Sequence, residues 1–115
     1  MTGHYRYGDA LVIYYLLESI MKTTTILVNN KTGLHARPAN LFTRTAGKFI
    51  CKIHVEKNGD KTAIYNAKSI FSVISMGASK GSVLTIYADG EDEDAALSAL
   101  QELAASDFGE TGDSI

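Results

Sequence analysis

Residues 49–66 read FICKIHVEKNGDKTAIYN, and this stretch decides the fold. Along residues 49–57 the side chains alternate. Cys51, Ile53 and Val55 project to one side, and Lys52, His54 and Glu56 to the other. A period of two is that of a half-buried strand, apolar inward and polar outward. Asn58-Gly59 follows, a pair that tolerates the positive φ angles of a tight hairpin turn. Residues 61–66 then read as the returning strand. A hairpin in the middle of a chain calls for an antiparallel sheet with one face to be covered.

The covering layer lies outward on both sides. Residues 23–28 (TTTILV) are rich in β-branched side chains and read as a strand. Residues 36–46 have helical spacing, with Ala39, Phe42, Thr43 and Ala46 on one face. Pro38 falls in the first turn, where a missing N–H is tolerated, and Gly47 ends the helix. Toward the C-terminus, Lys68-Ser69 opens a short helix with Ser69 as its N-cap. Residues 77–81 close it, and residues 82–88 (SVLTIYA) form another strand. Gly90 and the run Glu91, Asp92, Glu93, Asp94 open a last helix, four carboxylates complementing its positive end. Ala96, Leu100 and Leu103 form its inner face, with Leu97 and Ala104 alongside. Residues 107–115 read as a polar, frayed tail. The order β-α-β-β-α-β-α, with all three helices on one face of an antiparallel sheet, is a two-layer α+β sandwich.

Composition bounds the rest. The chain has 115 residues, 11 Lys plus Arg against 13 Asp plus Glu, 45% apolar and 21% charged residues. That is enough for one domain. A formal charge of −2 excludes a global basic field for nucleic acid. The single cysteine, Cys51, excludes an internal disulfide and reads as a small buried apolar residue in a protein of a reducing compartment. No apolar run reaches the roughly 18 residues of a membrane span. Residues 1–20 differ in character from the rest. A lone Arg6 and two tyrosines within residues 10–17 (ALVIYYLL) do not make a secretory signal. The segment reads as an appended helix or an upstream start, with Met21 the functional start and residues 21–110 the domain.

Chemistry concentrates at one place. Thr32-Gly33-Leu34-His35-Ala36-Arg37-Pro38 puts a histidine where the first strand gives way to the first helix. The first backbone N–H groups of a helix lack internal partners, and the helix dipole adds positive charge there. Arg37 contributes a full charge with bidentate donors, and Thr32 offers a hydroxyl. Together they make a small anion site with an imidazole at its centre. Such an imidazole serves as general base, ligand or nucleophile, and a histidine at a helix start is also an ordinary surface or capping residue. The other two histidines carry less. His54 lies on the outer, solvated register of its strand, and His4 in the leading segment. Neither they nor Cys51 compose a metal site.

Residues 33–39 (GLHARPA) resemble the active-site signature of HPr, the histidine-containing phosphocarrier of the bacterial phosphoenolpyruvate:sugar phosphotransferase system. Residues 66–77 (NAKSIFSVISMG) resemble the regulatory serine segment of HPr from Gram-positive bacteria, and residues 88–93 (ADGEDE) match the approach to the family's last helix. The three segments occur in the family's order. The resemblance implies a four-stranded antiparallel sheet in the order 1-4-2-3, covered on one face by three helices. It implies that His35 accepts a phosphoryl group on its δ nitrogen from enzyme I and passes it to the IIA component of a sugar permease. Arg37 and Ala36 accompany it in the signature, Arg37 pairing with the phosphoryl group. Ser69 matches the serine phosphorylated by HPr kinase/phosphorylase, a form that acts with catabolite control protein A. Such a protein is a cytoplasmic, monomeric carrier without cofactor, not a stand-alone enzyme. Regulatory paralogues lack the active histidine, which this chain keeps. A regulatory module acting mainly through Ser69 is the alternative.

The second helix is expected to turn Val73 and Met76 inward and Ile70, Phe71 and Ile74 outward. The outward group forms an apolar docking patch ringed by Asn40, Arg44, Lys48 and Lys68 and suited to acidic partners. One departure from the family pattern concerns residues 58–66, which are longer by about three residues. An odd insertion at a hairpin reverses which side chains of the returning strand face inward unless a bulge absorbs it.

Overall fold

The computed structural model describes residues 21–110. The leading segment and the last five residues of the expected tail lie outside them.

The hairpin stretch behaves as its alternation requires, with one change. Strand β2 (Lys52–Lys57) buries Ile53 and Val55 against the helices. It begins later than the alternation of residues 49–57 indicates. The carboxylate of Asp92 accepts the N–H groups of Ile50 at 2.8 Å and Cys51 at 2.9 Å, so these leave the ladder. Asn58 and Gly59 take the positive φ angles of the turn, +52° and +74°. The returning strand β3, however, pairs only over Tyr65–Asn66. A two-residue turn at Asn58-Gly59 would set Val55 opposite Thr62; the structure sets it opposite Tyr65, three residues on. The added residues are accommodated in the loop, where Asp60 Oδ1 accepts the N–H of Thr62 at 2.9 Å. Because the slip is odd, Tyr65 packs against the core while Ile64 is left exposed.

Strand β1 (Lys22–Leu27) pairs antiparallel with β4 (Val83–Asp89), and β4 with β2. The order is β1-β4-β2-β3, the expected 1-4-2-3. Three helices complete the set: α1 (Ala36–Gly47), α2 (Ile70–Met76) and α3 (Glu93–Ala105). Between them and the sheet lies one core, including Leu34, Phe42, Ile53, Met76, Leu84, Ile86 and Leu100, each essentially without exposure. Burying each such side chain contributes roughly 1.5–3 kcal/mol. Cys51 joins this core as expected, and burial, followed by the hydrogen bond with Asp92, pushes its thiol up to about 11. No helix among the described residues is long and apolar enough to cross a membrane.

Three further expectations are corrected. Helix α3 starts at Glu93, so Glu91 and Asp92 are not in its first turn. Asp92 is its N-cap and spends its carboxylate on the chain before β2, while Glu93 Oε1 accepts the N–H of Gly90 at 3.0 Å. Glu56, assigned to the solvated register, is 3% exposed; it accepts the hydroxyl of Tyr87 at 2.7 Å and pairs with Lys61 at 3.3 Å. The tail does not fray at residue 107. Asp107–Gly109 make one tight turn with positive φ at all three residues (+56°, +54° and +77°), and Phe108 is fully buried, since an aromatic ring stabilises a segment that charge and glycine would otherwise leave loose.

Candidate functional site

The loop between β1 and α1 is placed by its neighbours rather than by its own regularity. The N–H of Val28 donates to Ser82 O at 2.9 Å, and that of Leu34 to Ala78 O at 2.8 Å, which ties the loop to the segment after α2. Leu34 is buried. Gly33 has φ +73°, and a Cβ on it would fall 2.5 Å from Ala78 O and 2.8 Å from the Cα of Ser79. The two loops therefore approach through a position only glycine fills.

His35 is the N-cap of α1, with extended backbone (φ −129°, ψ 161°) and no capping hydrogen bond from its ring. A carboxylate or hydroxyl cap would occupy the helix end; the imidazole leaves it open. Ala36 has φ +48°, a left-handed conformation that costs an alanine of order 1–3 kcal/mol. Pro38 has no N–H, and that of Ala39 reaches back to His35 O at 3.5 Å. The N–H groups of Ala36 and Arg37 donate to no protein acceptor among the described residues. His35, Ala36 and Arg37 are all exposed, and Arg37 makes no ion pair among the described residues.

Thr32 is near as expected, but its donors are engaged. Its N–H and hydroxyl donate to the carboxylate of Glu110 at 3.1 and 2.8 Å. Asn30 Nδ2 donates to Glu110 Oε1 at 3.2 Å and to Gly33 O at 2.8 Å. The N–H of Thr32, then its hydroxyl, hold the Glu110 carboxyl below its usual range. Sequence reasoning missed both Asn30 and Glu110. The signal was Phe108, a large aromatic residue in an otherwise polar stretch, which the structure buries in the core.

Helix α2 packs against α1 and carries the second cluster. Ser69 caps it, its Oγ accepting the N–H of Ser72 at 3.3 Å. Val73 and Met76 are buried as expected. Phe71 is 83% and Ile74 45% exposed. Ile70 is different: α2 packs against β3 as well as α1, and Ile70, its first residue, is half-buried against the core. Asn40, Arg44 and Lys48 are exposed, whereas the Lys68 ammonium donates to Phe49 O at 2.6 Å. Ile50, unremarked in the sequence, is 75% exposed. His54 is half-buried rather than solvated, and desolvation, followed by Lys52, lowers its pKa. Two open clefts, one lined by residues including Ile26, Asn29 and Gln101 and one by Glu56, Lys61 and Tyr87, involve neither His35 nor Arg37.

The fold defines the class, an open-faced α+β sandwich of four antiparallel strands under three helices, with an exposed histidine and arginine at the start of its first helix. The comparisons agree. The family PTS-HPr, "PTS HPr component phosphorylation site", matches residues 22–106. The phosphocarrier protein HPr of Neisseria meningitidis serogroup A is 41% identical over 90 residues, covering 78% of this chain and 98% of its own. A crystal structure of HPr from Thermoanaerobacter tengcongensis superposes with a TM-score of 0.73 at 49% identity, covering 79% of this chain and 99% of that one. The solution structure of Crh, the Bacillus subtilis catabolite repression HPr, superposes with a TM-score of 0.55 at 40% identity, covering 72% and 95%. The chain belongs to the HPr family of phosphocarrier proteins.

Proposed function

We propose that this chain carries a phosphoryl group on His35, received from phosphorylated enzyme I and delivered to IIA components of sugar permeases. The observation that carries the reading is the exposed His35 at the open N-terminus of α1, with the unpartnered N–H groups of Ala36 and Arg37 next to it. In the transfer, the lone pair of His35 Nδ1 attacks phosphorus. The N–P bond of the donor phosphohistidine breaks, and its electron pair returns to the donor ring. The phosphoryl oxygens then lie toward the helix end, where the two N–H groups and the Arg37 guanidinium meet their charge. Few donors and an exposed ring suit a carrier, which must release what it holds. No cofactor enters this chemistry, and the chain turns over only between partner proteins, as a cytoplasmic monomer.

Phe71 and Ile74, with Ile70 at the patch edge, supply the apolar contact for both partners, and Asn40, Arg44, Lys48 and Lys68 its polar and positive surround. Ser69 is the regulatory position. As N-cap of α2 it accepts a phosphate without loss of the helix, and the new charge lies beside Phe71, in the path of an acidic partner. HPr kinase/phosphorylase would place it, and catabolite control protein A would read it. The two activities coexist in one chain.

Incubation with enzyme I and phosphoenolpyruvate tests the carrier reading. Acid-labile phosphate that disappears in His35→Ala is the expected result, and no labelling of the wild type refutes it. Labelling by ATP and the kinase that is lost in Ser69→Ala supports the regulatory role.

A further inference from the structure

Glu110 arrives at the His35 loop by three separate fastenings. Phe108 is buried against Phe42 of α1. Gly109 packs so closely on Leu41 that a Cβ would fall 2.7 Å from its Cδ1. The N–H of Glu110 donates to Asp107 O at 3.0 Å, which fixes the backbone before the side chain departs. From there both carboxylate oxygens turn onto the loop: Oε1 accepts Thr32 N–H and Asn30 Nδ2, and Oε2 accepts the Thr32 hydroxyl. A carboxylate thus occupies donors of the kind that bind phosphate, three residues before His35.

We propose that Glu110 is a positioning residue that acts through Thr32: a built-in anion that occupies the donors of the loop and keeps the phosphoryl group of His35 weakly held. The inference rests on the carrier reading above. With Glu110 in place, a phosphoryl group on His35 gains no hydrogen bond from Thr32 without displacing a carboxylate, and it adds its charge to a loop that already holds a negative charge at Thr32. Both effects raise its tendency to leave. The phosphoryl group moves between the same atoms as before; Glu110 takes no part in bond making.

The test compares the full-length wild type with Glu110→Gln, which keeps the length and one acceptor but removes the charge. In phosphoryl exchange with enzyme I, the equilibrium shifts toward the phosphorylated chain by about threefold at low salt, the scale of a screened interaction between surface charges, and the shift shrinks in 1 M salt. A chemical arm uses phosphoramidate to load His35 without enzyme I, with phosphorus NMR following the loss of the N–P bond, expected about threefold slower in Glu110→Gln. Thr32→Val, combined with Glu110→Gln, adds little further. A purely structural role for Glu110 would lower the melting temperature and leave both readouts unmoved, and that result overturns the proposal. Unchanged N–P loss in the chemical arm overturns it as well, while absence of labelling by enzyme I alone strikes the carrier reading.

Discussion

The ring of Phe108 lies against that of Phe42, centroids 6.2 Å apart and planes tilted by 53°. Both rings are fully buried, one from the C-terminal turn and one from the inner face of α1. This contact locks the end of the domain to the helix that presents His35. Phe108→Ala is expected to cost about 3–5 kcal/mol, the usual range for emptying a buried aromatic site. Urea unfolding measures it, and a loss below about 1 kcal/mol would show that the turn does not hold the core.

Gly33→Ala meets the neighbouring loop backbone at Ala78 O and also requires a left-handed alanine. The two loops must part, so stability falls by at least about 2 kcal/mol. Thermal unfolding gives the first number and the rate of labelling from enzyme I gives the second. Both are expected to fall, since the loop that moves carries His35.

Ser69→Asp keeps an N-cap, so the melting temperature stays close to that of the wild type. Phosphoryl acceptance from enzyme I slows by about tenfold or more, a change of ~1.4 kcal/mol. Wild-type kinetics in this variant would refute the electrostatic account of regulation at Ser69.

Phe71→Ala removes a side chain that is 83% exposed, so stability changes by no more than about 0.5 kcal/mol. Affinity for enzyme I, measured by calorimetry, falls by more than about 1 kcal/mol if the ring is a docking anchor. An unaffected affinity would remove Phe71 from the interface.

His54 gives a pH dependence with a defined sign. Its folded pKa is lowered below 6.5 by desolvation and then by Lys52, so the folded state resists its protonation. The stability this represents is complete above pH 6.5. It is lost as pH falls from there through the folded value, because the unfolded chain binds the proton first. Urea unfolding of wild type and His54→Gln between pH 8 and pH 5 checks this, and the variant's decline below pH 6.5 should be shallower.

Residues near one another in sequence were read well. Strands β1 and β4, the inner faces of α1 and α3, the cap at Ser69, and the outward Phe71 and Ile74 follow from periods and end signals that a dozen residues contain. Errors arose where a residue's partner lies far along the chain. Asp92 was read as dipole complement and instead receives Ile50 and Cys51 from before β2. Glu56 followed the alternation of its strand but is buried with Tyr87 of β4 and Lys61. Ile70 is a local miss: read as outward with Phe71, it is half-buried against the core, because the faces of a seven-residue helix are short.

The sequence by itself determined the elements, their order and the placing of a histidine at the start of a helix, because hydrophobic period, turn residues and helix-end signals act over short spans of chain. Tertiary structure alone decided how that histidine is surrounded. It set the left-handed Ala36, the approach of Gly33 to Ala78, and the return of Phe108 and Glu110 to the loop of Thr32. The last of these closes the chain over 78 residues, and only the packed core brings the Thr32 hydroxyl within 2.8 Å of Glu110.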